Sequence, residues 1–63
     1  MKHKELKNLA QKIAKCEKIV QTSTDKNAVR RAQDEIMNLS GCVDSLEDIM
    51  ILDEMIQDIL EKS

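Results

Sequence analysis

The side chains in this 63-residue chain that could do chemistry are two cysteines, one histidine and a C-terminal series of carboxylates. Cys16 and Cys42 stand 26 positions apart, which matches neither a C-x-x-C redox pair nor a metal motif. If the chain turns back on itself near 22–25, Cys16 falls opposite residue 31. Cys42 is then about 11 residues, or ~16 Å, further along the axis, too far for a disulfide. Both thiols are expected free. Cys16 occupies an apolar seam and reads as a small core residue. Cys42 stands beside a helix end, open to oxidation or an intermolecular bridge, with no neighbouring base to make it a nucleophile.

His3 is the single histidine. A free amine at Met1 with His3 as the third residue could wrap a square-planar nitrogen site around Cu(II) or Ni(II). No carboxylate is followed by a histidine at metal-ligand helical spacing, since Glu47 meets Ile51 and Asp53 meets Gln57. One terminal histidine also builds no Ser/His/Asp or Cys/His arrangement. The pairs Glu47/Asp48 and Asp53/Glu54 read as solubilising charge. The expectation is no enzyme, no catalytic residue, no metal and no cofactor.

The elements that would position these groups are helical. With no Pro and one Gly, the chain lacks the turn residues that strands need at their ends. Its 35% charged and 41% hydrophobic residues are too balanced and too apolar for intrinsic disorder. Leu6, Leu9, Ile13, Cys16 and Val20 recur at spacings of 3, 4, 3 and 4, which predicts a first helix over about 3–21 with Lys4, Lys7, Gln11, Lys15 and Lys18 outside. Thr22-Ser23-Thr24-Asp25 supplies N-cap acceptors, with Thr24 the expected cap and Ser23 or Asp25 as alternatives. A second helix follows over about 25–39, carrying Val29, Ala32, Ile36 and Leu39. Gly41 is expected to end it in the left-handed conformation. Ser45-Leu46-Glu47-Asp48 resembles a capping box that opens a third helix over about 46–61.

That third helix is the most apolar stretch. Nine of the fifteen residues in Leu46–Leu60 are hydrophobic, where an amphipathic surface helix needs three or four per two turns. This excess predicts that it is buried on two sides and lies in the middle of the fold. The fold class is thus all-α, a small three-helix bundle, antiparallel and up-down-up, with residues 1–63 as one helical domain. A chain this short has a thin margin of stability, and dimerisation is one way to complete the bundle.

Charge is sorted along the chain. Residues 1–20 hold six Lys and two Glu, 21–40 are neutral, and 41–63 hold seven acids and one Lys. In an up-down-up bundle the first and third helices run side by side, so this sorting would help pair them. A helix-turn-helix aligned on Gly41 would put Glu47 at a normally aliphatic position. Its reading helix would also carry Glu47, Asp48, Asp53, Glu54 and Asp58, which phosphates repel. The Lys face of the first helix could touch phosphates, yet it lacks the Arg and aromatic residues of base readout. Nucleic acid is not an expected partner.

Protein association remains. Ile51 lies about 200° around the helix from Ile49 at ~100° per residue, and Met50 and Met55 widen the apolar surface beyond what a three-helix core covers. The expected function is a small interaction or adaptor module binding a protein partner, or itself as a homodimer, through Met50, Ile51, Glu54, Met55 and Asp58. The alternative is a regulator that contacts nucleic acid through the Lys-rich helix, or a nucleic-acid enzyme by acidic phosphate mimicry. Free thiols, no apolar leader-like segment and no 18-residue apolar run point to a cytoplasmic protein and no membrane span.

Overall fold

The computed structural model describes residues 2–62 and contains three helices: α1 (His3–Thr22), α2 (Lys26–Ser40) and α3 (Leu46–Lys62). The all-α three-helix bundle expected from the apolar spacing is what forms. The local signals explain each boundary. At the start of α1 the Lys2 backbone N–H donates to Glu5 Oε2 at 3.4 Å, tying the carboxylate to the first turn. At its end Thr22 Oγ1 donates back to the Lys18 carbonyl at 2.7 Å and the Ser23 N–H to the Ile19 carbonyl at 2.8 Å.

Asp25, rather than Thr24, is the N-cap of α2. Its carboxylate accepts from the Asn27 N–H at 2.9 Å, while Ser23 Oγ accepts from the Asp25 N–H at 3.2 Å. Asp carries both the acceptor and the negative charge that the N-terminal dipole favours, which explains why it takes the cap from its hydroxyl neighbours.

The end of α2 departs from expectation. Gly41 has φ −67° and ψ −13°, right-handed rather than left-handed. The helix tightens instead: Gly41 N–H donates to the Met37 carbonyl, Cys42 N–H to the Leu39 carbonyl at 3.2 Å and Val43 N–H to the Ser40 carbonyl at 3.3 Å. These last two are i→i+3 bonds that use up terminal carbonyls without a positive φ. Val43 turns inward and is buried, as its apolar side chain in a polar connection suggests.

The core comprises Leu6, Ala10, Ile13 and Ala14 of α1 with Val43, Leu52 and Ile56, flanked by Leu9, Ile36, Leu39, Ile51, Met55, Ile59 and Leu60. Leu6 and Ile13 are essentially enclosed, each at 2% exposure. Full burial of such side chains contributes roughly 1.5–3 kcal/mol apiece. Five residues of α1 are buried against one of α2 and two of α3, so α1 is the middle helix. The expectation that α3 is buried on two sides is overturned. α1 packs against both neighbours, whereas no Cα atoms of α2 and α3 come within 8 Å of each other among the described residues.

Two features of α1 allow this. Ala10 and Ala14 let a second backbone approach closely, and the apolar stripe is wide enough for helices on both flanks. α2 returns antiparallel, so that Glu17, Val20 and Gln21 face Gln33 and Ile36, and Lys12, Cys16 and Ile19 face Glu35 and Leu39. α3 does not run alongside α1. It starts beside Glu5, where Asp44, Ser45 and Asp48 line a hollow, and ends with Met55, Asp58 and Ile59 opposite His3, Lys7 and Gln11. A parallel course from Glu5 would carry Asp58 ten residues, or about 15 Å, further along α1. α3 therefore crosses α1 obliquely and, among the described residues, packs against α1 alone, not against α2. The molecule measures 34 × 24 × 16 Å with a radius of gyration of 11.7 Å, above the roughly 10.6 Å of a compact chain this long.

Candidate functional site

The crossing decides which face of α3 meets solvent. Taking Leu52 as the centre of the buried face, Ile56, Ile59 and Asp48 lie within about 40° of it, and Met55 and Ile51 lie about 60° and 100° to one side. Met55 and Ile59 look across at His3, Lys7 and Gln11 of α1, and both Ile51 and Met55 are half-buried. The opposite side holds Ile49, Leu46 and Met50, at about 60°, 120° and 160° from Leu52. Leu46 is 74% and Met50 61% exposed, and Ile49, nearer the buried face, keeps 38%.

The five residues expected to form one interface are thus divided. Met50 and Glu54 point outward, one turn apart, as required. Ile51 and Met55 are on the flank that α1 partly covers, and Asp58 is exposed on that same flank, accepting from Lys62 Nζ at 3.1 Å. Leu46 and Ile49 were not among the residues expected at the interface. Their i, i+3, i+4 relation to Met50 marks one face, and a second seam offset from Leu52 and Ile56 could have revealed it. A fourth exposed large hydrophobic, Met37 at 75%, lies in the last turn of α2. Met37 stands apart from the other three, since no Cα atoms of α2 and α3 come within 8 Å of each other among the described residues.

Carboxylates surround this apolar face. Asp53 continues the Leu46–Met50 stripe by one turn, and Glu47 and Glu54 run along its edge; all three are exposed, without an ion-pair partner among the described residues. The charge sorting read from the sequence is real, and it brings Lys7 of α1 and Asp58 of α3 to the rim of one hollow. No lysine of α1 comes within 4 Å of an acid of α3 among the pairs described, and the α3 pair Lys62–Asp58 is exposed and worth little. Comparison with known proteins finds no matching family model, curated protein or solved structure.

Cys16 is buried between α1 and α2, where desolvation first, and then the Glu35 carboxylate beside it, push its thiol above the usual 9.0, with Lys15 opposing weakly. A thiol held protonated is a poor nucleophile. Cys42 is exposed, and its Sγ donates to the Asn38 carbonyl at 3.6 Å. No group of three or more His, Cys, Asp or Glu that could hold a metal ion occurs among the described residues. The amine of Met1, on which the square-planar site with His3 depends, lies outside the described residues. No helix among them is long and apolar enough to cross a membrane.

Proposed function

We propose that this chain is a small non-enzymatic interaction module that binds a protein through the outward face of α3. The observation behind this reading is the uncovered group Leu46, Ile49 and Met50 on a helix whose opposite face is already satisfied by α1. Three neighbouring large apolar side chains on a small domain, rimmed by charge, have the character of an interaction surface. Met50 and Glu54 belong to its centre and edge. Ile51, Met55 and Asp58 extend it around the helix wherever a partner is broad enough to reach the α1 side. The two free thiols fit a reducing compartment, and a cytoplasmic setting is part of the proposal.

The test is a pair of capture and sedimentation measurements on the wild-type chain and a Leu46→Glu/Met50→Glu variant of matched helicity. The expected result is a partner, or a second copy, held by the wild type and lost by the variant. Equal retention by both proteins would overturn the reading.

A second reading draws on the lysines of α1. Lys4, Lys7, Lys12, Lys15 and Lys18 are exposed and form no ion pair among the described residues, which leaves a cationic face for phosphates. Binding of that kind weakens steeply with salt, whereas apolar association does not. Absence of any mobility shift of duplex or single-stranded nucleic acid at low salt removes direct phosphate binding.

A further inference from the structure

The character of the partner follows from the charge around the exposed face, and the inference rests on the interaction reading above. Residues 36–61 contain seven acids, Asp44, Glu47, Asp48, Asp53, Glu54, Asp58 and Glu61, and not one Lys or Arg. Among the described residues the four exposed large hydrophobics, Met37, Leu46, Ile49 and Met50, all fall inside this span. We propose that the occupant of the face is an amphipathic basic helix of another protein, whose apolar residues cover Leu46, Ile49 and Met50 and whose Lys or Arg residues meet Glu47, Asp53 and Glu54.

Two alternatives fit less well. A symmetric second copy would place the same acidic surface on both sides of the contact, because a two-fold interface pairs a patch with itself. Like charges brought together at an interface are costly, and here no base on the contacting span relieves them. A head-to-tail copy would offer either the α1 lysines, where Lys4, Asn8, Gln11, Lys15 and Lys18 form an outer face with no large apolar residue, or Arg30 of α2, whose face carries Met37 as a single exposed large apolar side chain against Leu46, Ile49 and Met50. A basic amphipathic helix meets both demands at once. Leu46 to Gln57 spans about 16 Å of α3, which a partner helix of three turns covers. Such a helix would lie on α3 as an apolar seam with charged edges, the arrangement of a helix docked by its i, i+3 and i+4 side chains.

The experiment uses the full chain and two synthetic helical peptides with identical leucines at i, i+3, i+4 and i+7, one with lysines and one with glutamates on the polar face. Affinities are read by fluorescence anisotropy at low and high salt, with sedimentation of the chain alone in parallel. The expected result is that the lysine peptide binds at least about tenfold more tightly than the glutamate peptide at low salt, with the gap closing as salt screens it. Binding should be lost in Leu46→Ser/Met50→Ser and weakened in Asp53→Lys/Glu54→Lys. Circular dichroism checks that both variants fold, and all four positions are exposed.

Equal binding of the two peptides that is lost in Leu46→Ser/Met50→Ser would overturn the basic partner while leaving an interaction face. Failure of both peptides, together with self-association lost in that variant, would replace the partner by a second copy. Lysine-peptide binding that survives loss of Leu46 and Met50 would overturn the placement. No binding and a strictly monomeric chain would overturn this inference and, with no partner captured, the interaction reading too.

Discussion

α1 has eight apolar residues among its twenty and buries five of them, whereas α3 has nine among Leu46–Leu60 and buries two. The less apolar helix is the middle of the molecule. Its apolar residues are gathered on one broad stripe, and the small ones, Ala10 and Ala14, lie in the core that α1 shares with α3. α3 spreads its apolar residues over most of its circumference, so a single neighbour covers part of them and solvent meets the rest. Burial follows from how apolar positions are distributed and from where a neighbour can come close; the amount of apolar surface decides how much is left over. What is left over on α3 is the candidate interface.

This contrast can be broken most directly by truncation on each side of it. Ile13→Ala removes an enclosed side chain of α1 and should cost about 2–5 kcal/mol, a large share of what a chain this size can hold. Leu46→Ala and Met50→Ala on α3 should fall within about 0.5 kcal/mol of wild type. Urea unfolding followed at 222 nm measures all three. Comparable losses at Ile13 and Leu46 would mean that α3 is covered after all.

Enlarging the crossing point is the next test. Ala10 has no exposed surface, and Ala10→Leu should destabilise by about 1–3 kcal/mol by forcing α1 and α3 apart. The same substitution at Asn8, on the outer face, should be close to neutral. A tolerated Leu at position 10 would deny α1 its place at the close approach.

The joint that feeds α3 sharpens the picture by a smaller amount. Gly41 is right-handed, and a Cβ there would stand 3.5 Å from the Asn38 and Met37 carbonyl oxygens, an ordinary contact. Gly41→Ala should therefore stabilise by about 0.4–1 kcal/mol through the unfolded chain, visible as a higher melting temperature. A loss instead would place this residue at positive φ in solution.

The mildest effect is confined to alkaline solution. The Cys16 thiol is raised above 9.0 in the folded chain, so the unfolded chain ionises first. Its contribution to stability is complete below pH 9 and declines as pH climbs through the folded value. Cys16→Ala should flatten that decline, and iodoacetamide should label Cys42 in the native protein well before Cys16. Rapid labelling of Cys16 without unfolding would show that α1 and α2 part readily.

Much of the architecture is legible along the chain because helices are written in local terms. The 3-4-3-4 spacing in α1, the hydroxyl and carboxylate run before Lys26, and Ser40-Gly41 locate three helices to within a residue or so. The free cysteines follow from helix length alone, and the inward Val43 from its place in a polar connection. The site is harder to read. Met50 and Glu54 are exposed, whereas Leu46 and Ile49 resemble core residues, and Ile51 and Met55 resemble surface ones, until the direction of the neighbouring helix is known.

By itself the sequence determined the helices, their boundaries and the segregation of acid toward the C-terminus, since these depend on hydrogen bonds, spacing and charge within a few residues. Only the tertiary structure decided that α3 slants across α1 and that Leu46, Ile49 and Met50 remain in water. The physical reason is that a helix rich in apolar residues on every side has no unique inward face of its own. The close approach permitted at Ala10 and Ala14 selects one.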